Sequence, residues 1–155
     1  MKTAQQWFYE YGQSHKNSFN KAIHWLAVPI IYLTVLGILW QIPMPFALFA
    51  QQEITWSLIV AVPVLLFYFN LSFSIGLGMT IFTGLGVMLI RWLDQSFTTD
   101  VWLISVLLFV VMWVLQFIGH KVEGKKPSFF QDLQFLLIGP AWLLGFIYRG
   151  LNIRY

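Results

Sequence analysis

Three histidines, His15, His24 and His120, are the residues of this chain best suited to chemistry, and each has polar company at a helical spacing. Gln116, His120 and Glu123 stand at i, i+4 and i+7, so a continuous helix presents them as one polar stripe. Asn17 and Asn20 precede His24 by seven and four residues, which places all three on one helix face. His15 lies nine residues before His24, about 900° of helix, so an unbroken helix points the two rings in opposite directions. They converge only if the chain breaks between them, and "HKNSFN" offers that break at Asn17-Ser18, two good helix N-caps. Three imidazoles near a carboxylate suit a metal, and imidazole accepts Zn, Fe, Cu and Ni alike. The spacing matches no short metal signature such as H-E-x-x-H. A plainer reading stands beside it: interfacial histidines also cap helices or bind headgroups, and neighbouring lysines also serve as topology signals. No Ser or Thr has a base and an acid arranged for nucleophilic catalysis. The Gly-rich "GLGMTIFTGLG" lies inside an apolar run, where close helix packing explains it better than a phosphate loop does.

The elements that must position these residues are apolar helices. Of the 155 residues 59% are hydrophobic and only 10% charged, with a mean hydropathy of +0.73. A soluble domain of this length exposes far more charge. The composition therefore predicts one all-α integral membrane domain over 1–155, a bundle of four to five transmembrane helices with an N-terminal interfacial segment over 1–20. The spans are expected at about 23–40, 54–69, 71–92, 101–119 and 133–148. The last carries Gly139-Pro140, so it is expected either as a kinked span or as a re-entrant, broken hairpin. Trp7, Phe8 and Tyr11 share a face of the interfacial helix and suit the membrane surface. Gly76, Thr80 and Gly84 recur every four residues as a small-residue contact face. Asp100 is a plausible cap for the fourth span. No early apolar core marks a cleavable leader.

With no cysteine in the chain, disulfides, iron–sulfur clusters and thiol catalysis are excluded. The net charge of +3 does not read as a nucleic-acid footprint, because the basic residues flank apolar runs. Lys2, Lys16 and Lys21 precede the first span, and Lys121, Lys125 and Lys126 follow the fourth. The loop over 41–53 has no Lys or Arg. The histidines and both lysine groups are thus expected at one membrane face, the cytoplasmic one. Arg149 and Arg154 favour the same side for the C-terminal end.

"YEYGQSHKNSFNKAIHWLAVPII" near the start and "QFIGHKVEGKKPSFFQDLQFLLIGP" a hundred residues later resemble the 2-hydroxy-palmitic acid dioxygenase family. Tyr11, His15, Asn20, His24 and Pro29 carry the first half of the resemblance. Gln116, Gly119, His120, Glu123, Pro127 and Pro140 carry the second. "SFFQDLQF" replaces a run in which the fungal members usually have an Asp-Asn pair, so the chain is more similar to the bacterial branch, which implies a bacterial inner membrane. The resemblance implies an Fe(II)-dependent dioxygenase of fatty acid α-oxidation that takes a 2-hydroxy fatty acid and O2 to CO2 and an acid one carbon shorter. It implies His15, His24 and His120 as iron ligands. Glu123 is expected as a fourth ligand or as the partner of a ligand histidine, and Gln116 and Asn20 as catalytic neighbours behind the ligands. Lys121, Lys125 and Lys126 are expected at the substrate carboxylate or lipid headgroups. The expected partners are membrane lipid, the 2-hydroxy acid and O2, without nucleic acid, with monomer and homo-oligomer both open. Two other classes compete: a Zn-dependent membrane lipid hydrolase using the same ligands, and a non-catalytic membrane protein that binds lipid or a partner.

Overall fold

The computed structural model describes residues 2–47, 49, 53–124 and 129–155, with side chains for all of these except 129–134. Its helices are α1 (Ala4–Gly12), α2 (Ser18–Trp40), α3 (Trp56–Leu71), α4 (Phe73–Ser96), α5 (Val101–Glu123) and α6 (Phe129–Gly150), with no strand among the described residues. Local chemistry sets their ends. Thr3 and Gln6 form a reciprocal capping box on α1. Asn17 caps α2 by accepting the Phe19 N–H at 2.8 Å, and Asp100 caps α5 by accepting the Trp102 N–H at 2.8 Å. Gly124 ends α5 in the left-handed region, φ 74°, where a residue without Cβ is least strained. Both α2 and α5 reach further into polar sequence than their apolar cores. Asn20 and His24 therefore share one helix, as do Gln116, His120 and Glu123.

The run around Gly139-Pro140 is a single helix, not a broken hairpin. Proline removes one backbone bond, and Ile138, Ala141 and Leu143, all buried, hold the helix on both sides of it. The Phe135 ring meets the Tyr11 ring edge-on at 5.2 Å. Tyr148 donates to the Ser74 carbonyl at 2.7 Å, at the start of α4.

Close approaches organise the rest. Helices α2 and α5 form an antiparallel pair: Gly37 lies against Ser105 at one end, and Gly119 lies against Asn20 at the other. Helix α3 folds back on α4 with the Phe69 ring over Gly76. Helix α4 packs on α2 through Gly86 beneath Leu33 and through a Tyr32–Thr83 hydroxyl pair at 2.7 Å. The contact face of α4 therefore carries Gly76, Met79, Thr83, Gly86 and Ile90. Thr80 and Gly84 point outward instead, because a strict period of four drifts off a face that repeats every 3.6 residues. The aromatic face of α1 also differs from its expected place at the membrane surface. Phe8 and Tyr11 are buried, with Phe8 against Gly145 and Tyr11 against Trp142. The apolar face of α1 covers protein because α6 lies within its reach.

Three helices, α2, α4 and α5, are long and apolar enough to cross a membrane. Their outward faces carry a belt of large apolar side chains, among them Leu85 (61% exposed), Met88 (68%) and Leu107 (59%). Water tolerates no such continuous surface, and lipid does. Substitution of two glycines separates packing from propensity. Gly37→Leu forces the α2–α5 pair apart and is expected to destabilise the protein by about 1–3 kcal/mol. Gly84 has open space where a Cβ would stand, so Gly84→Ala is expected to stabilise by about 0.5–1 kcal/mol. Thermal unfolding in detergent micelles reads both.

Candidate metal centre

The three histidines come from three different elements. His24 lies in α2, nearly two turns from its start, and is 1% exposed. His15 follows α1 after a turn in which its N–H donates to the Gly12 carbonyl. Its ring, 4% exposed, stacks on Tyr11 with centroids 4.1 Å apart. His120 stands in the last turn of α5 and is partly exposed. The ring centroids are 4.2 Å apart for His15 and His24, 5.2 Å for His15 and His120, and 5.0 Å for His24 and His120. One nitrogen from each ring lies within 4.8 Å of one from each of the others.

Hydrogen bonds decide which nitrogens are available. His15 Nδ1 is 2.6 Å from the Tyr11 carbonyl oxygen, and His24 Nδ1 is 2.9 Å from the Asn20 carbonyl oxygen. A carbonyl has no proton to give, so Nδ1 carries the hydrogen in both rings. In the neutral ring Nε2 then holds the lone pair that a metal takes, with the ring direction fixed from behind. Both bonds are i to i−4, so each ligand is oriented by its own stretch of chain. Small ring rotations bring three such nitrogens to the ~2.1 Å that imidazole–metal bonds need. The donor set, three imidazoles with two of them aimed by carbonyls, fits a transition-metal ion.

Glu123 closes the site without joining the three donors. Its Oε1 accepts the Lys16 N–H at 2.9 Å. Its Oε2 accepts the Asn17 N–H at 2.8 Å and the Asn20 Nδ2 at 3.2 Å. The carboxylate thus ties the end of α5 to the connection that carries His15. Asn20, fully buried, also donates from Nδ2 to the Ser14 carbonyl at 3.1 Å. Two acceptors on Nδ2 fix the orientation of the amide and turn Oδ1 toward Gly119, where a Cβ would collide with it. Glycine at 119 is what lets α5 come this near to Asn20.

Gln116 is buried one turn before His120 and makes no hydrogen bond among the described residues. Lys121 is exposed, and Lys125 and Lys126 lie outside the described residues. Sequence reasoning missed two contributors. Tyr11 supplies both the carbonyl and the ring that hold His15. Trp142 of α6 stands 5.6 Å from the His15 ring. The i, i+4 spacing of Tyr11 and His15, repeated at Asn20 and His24, was the available signal for the first. Nothing in an apolar run signals the second.

Each of His15→Ala, His24→Ala and His120→Ala is expected to abolish stoichiometric metal binding while thermal unfolding still reports a folded protein. Glu123→Gln swaps one acceptor for an N–H2 that faces donors, and metal affinity is expected to fall about 10–100-fold. Isothermal titration with Zn(II), and with Fe(II) under anaerobic conditions, measures both. Unchanged affinity in Glu123→Gln would remove the carboxylate from the support of the site.

No curated protein and no solved structure matches the chain. One family model does, over residues 1–151 of the 155, a span that includes α1, all three histidines, Glu123 and the whole of α6. The chain belongs to the family described as 2-hydroxy-palmitic acid dioxygenase Mpo1-like.

Proposed function

We propose that the protein is a membrane-embedded non-heme Fe(II) dioxygenase that shortens 2-hydroxy fatty acids by one carbon. The observation that carries this reading is the convergence of three imidazoles, two of them held through Nδ1 by backbone carbonyls. The family name supplies the reaction class and the substrate class. A bound Fe(II) supplies a redox-active centre with positions left open for O2 and for a chelating 2-hydroxy acid.

The chain's own residues do the remaining work. Three neutral donors leave the full charge of a divalent ion uncompensated, which favours an anionic partner such as a carboxylate. Glu123 spends its charge on the Lys16 and Asn17 N–H groups and on Asn20, away from the position of a fourth donor. Asn20 orients His24 and, through Ser14 and Glu123, the turn that bears His15. Tyr11 and Trp142 wall the His15 side with aromatic surface and limit access of water. The overall change balances without a second reductant: R–CH(OH)–COOH + O2 gives R–COOH + CO2 + H2O. The C1–C2 bond breaks, the acid yields four electrons, and O2 takes them up. The lysines near the start of α2 and the end of α5 support a cytoplasmic face for the site, and the likeness of "SFFQDLQF" to the bacterial branch supports a bacterial inner membrane.

Protein purified without oxygen, loaded with Fe(II) and given 2-hydroxyhexadecanoic acid in mixed micelles is expected to yield pentadecanoic acid and CO2 only after O2 is admitted. Mass spectrometry of the products reads this. An intact 2-hydroxy acid beside zinc-dependent cleavage of an ester lipid would replace the proposal with a hydrolase.

A further inference from the structure

A cavity of about 440 Å3 opens beside His15. Its walls include Lys16 and Lys21, together with Gly12, Trp142 and Phe146. Lys121 is not among them. Two lysines and a histidine of the cluster thus border one open space, whose other walls include Phe8, Tyr9 and Trp142. The two lysines give it the positive charge that suits a carboxylate.

A second, apolar cavity of about 120 Å3 is lined in part by Ile147, the residue after Phe146. It is a furrow between α2, α4 and α6, lined by Pro29, Met79, Phe82, Pro140, Leu143 and Ile147 among others. Trp25 also lines it, and the Trp25 and Phe146 rings pack with centroids 6.0 Å apart. The Trp25–Phe146 contact therefore joins the two spaces, Trp25 lining the apolar furrow and Phe146 the chamber with the lysines, and α6 forms a wall of both. Pro29 and Pro140 help to make the furrow: a proline ring leaves a shallow notch where a longer side chain would fill the groove between helices.

Resting on the dioxygenase reading above, we infer that the 2-hydroxy fatty acid binds with its carboxylate in the chamber beside His15, paired with Lys16 and Lys21, and with its tail over the Trp25–Phe146 pair into the α2–α4–α6 furrow. The occupant is a free acid, not a phospholipid. Charge complementarity at one end and apolar surface at the other are what a single-chain carboxylate needs. His15 belongs to both the chamber and the histidine cluster, which brings C1 and C2 next to that cluster. Lys16 and Lys21 are positioning residues for the carboxylate, and the furrow sets chain-length preference. Lys16 keeps its backbone bond to Glu123 in any side-chain variant, so its charge is testable apart from the clamp.

The test uses the full chain in mixed micelles and 2-hydroxyhexadecanoic acid with a diazirine near the tail end. Photolysis followed by peptide mapping is expected to mark furrow residues such as Met79, Leu143 or Ile147. Excess 2-hydroxyhexadecanoic acid is expected to suppress the labelling, and hexadecanol or phosphatidylglycerol is not. Lys21→Met and Lys16→Met are each expected to weaken labelling and raise KM about tenfold, with bound metal unchanged. Ile147→Trp, on the partly exposed rim, is expected to shift turnover from the sixteen-carbon acid toward an eight-carbon one. Labelling that falls on the separate cavity between α2, α3 and α6 (around Val35, Val60 and Leu137), or that phosphatidylglycerol displaces equally well, overturns the inference. The two readings fail separately. Furrow labelling by an acid that iron-loaded protein leaves intact supports the path and removes the reaction. Turnover with labels elsewhere keeps the reaction and removes the path.

Discussion

The Glu123 carboxylate is the contact on which the site depends. It accepts from the Lys16 N–H, the Asn17 N–H and the Asn20 amide, joining the end of α5 to the turn between α1 and α2. Two backbone donors at a helix start would otherwise seek water. At the end of a membrane bundle the carboxylate satisfies both at once. Its consequences are geometric. It brings His120, one turn before it, to the same level as His15, one residue before Lys16. Through Asn20 it reaches the residue whose carbonyl aims His24. One acidic group thus sets the relative positions of three histidines that are separated by up to 105 residues of sequence.

The histidine cluster lies near the start of α2 and the end of α5, at the ends of two apolar helices. Deeper in the bundle a three-histidine cluster would face a higher desolvation cost. Further out, water would have free access to it. Helices α1 and α6 settle the compromise. Helix α1 stands beside the histidines and α6 runs from Trp142 there into the bundle, where Leu136 and Leu137 line a cavity with Leu36 and Val60, and Phe8, Tyr11, Phe135 and Trp142 share one core cluster. The four remaining helices then serve as a frame, with α2 and α5 as the rigid pair. Their glycines lie at the points of closest approach, Gly37 by Ser105 and Gly119 by Asn20. Backbones that approach this closely transmit little slack to the ligands they carry.

The parts of this architecture governed by local chemistry were legible in the sequence. Apolar length announced the helices. Asn17 and Asp100 announced two starts. The need for a break between His15 and His24 followed from helix geometry alone, and the structure has the turn where Asn17 begins α2. Features that depend on which helix meets which were not legible. The α1 aromatics read equally well as membrane-facing or protein-facing, because lipid and protein interior present the same apolar surface to Phe8. The four-residue repeat of Gly76, Thr80 and Gly84 suggested a contact face that rotates away from α2 by Gly84. Glu123 was visible as a charge near His120, but its pairing with backbone N–H groups a hundred residues away had no sequence signal. Lysines read as topology markers gave no hint that Lys16 and Lys21 share a cavity with His15, since that depends on where α6 lies.

X-ray absorption at the iron edge of protein loaded anaerobically with Fe(II) tests the central claim most directly. The account predicts the outer-shell scattering pattern of three imidazoles on each iron, bound at about 2.1 Å, and a loss of one imidazole's contribution in His24→Ala. Iron with an oxygen-only environment, or an imidazole pattern that survives His24→Ala unchanged, would contradict it.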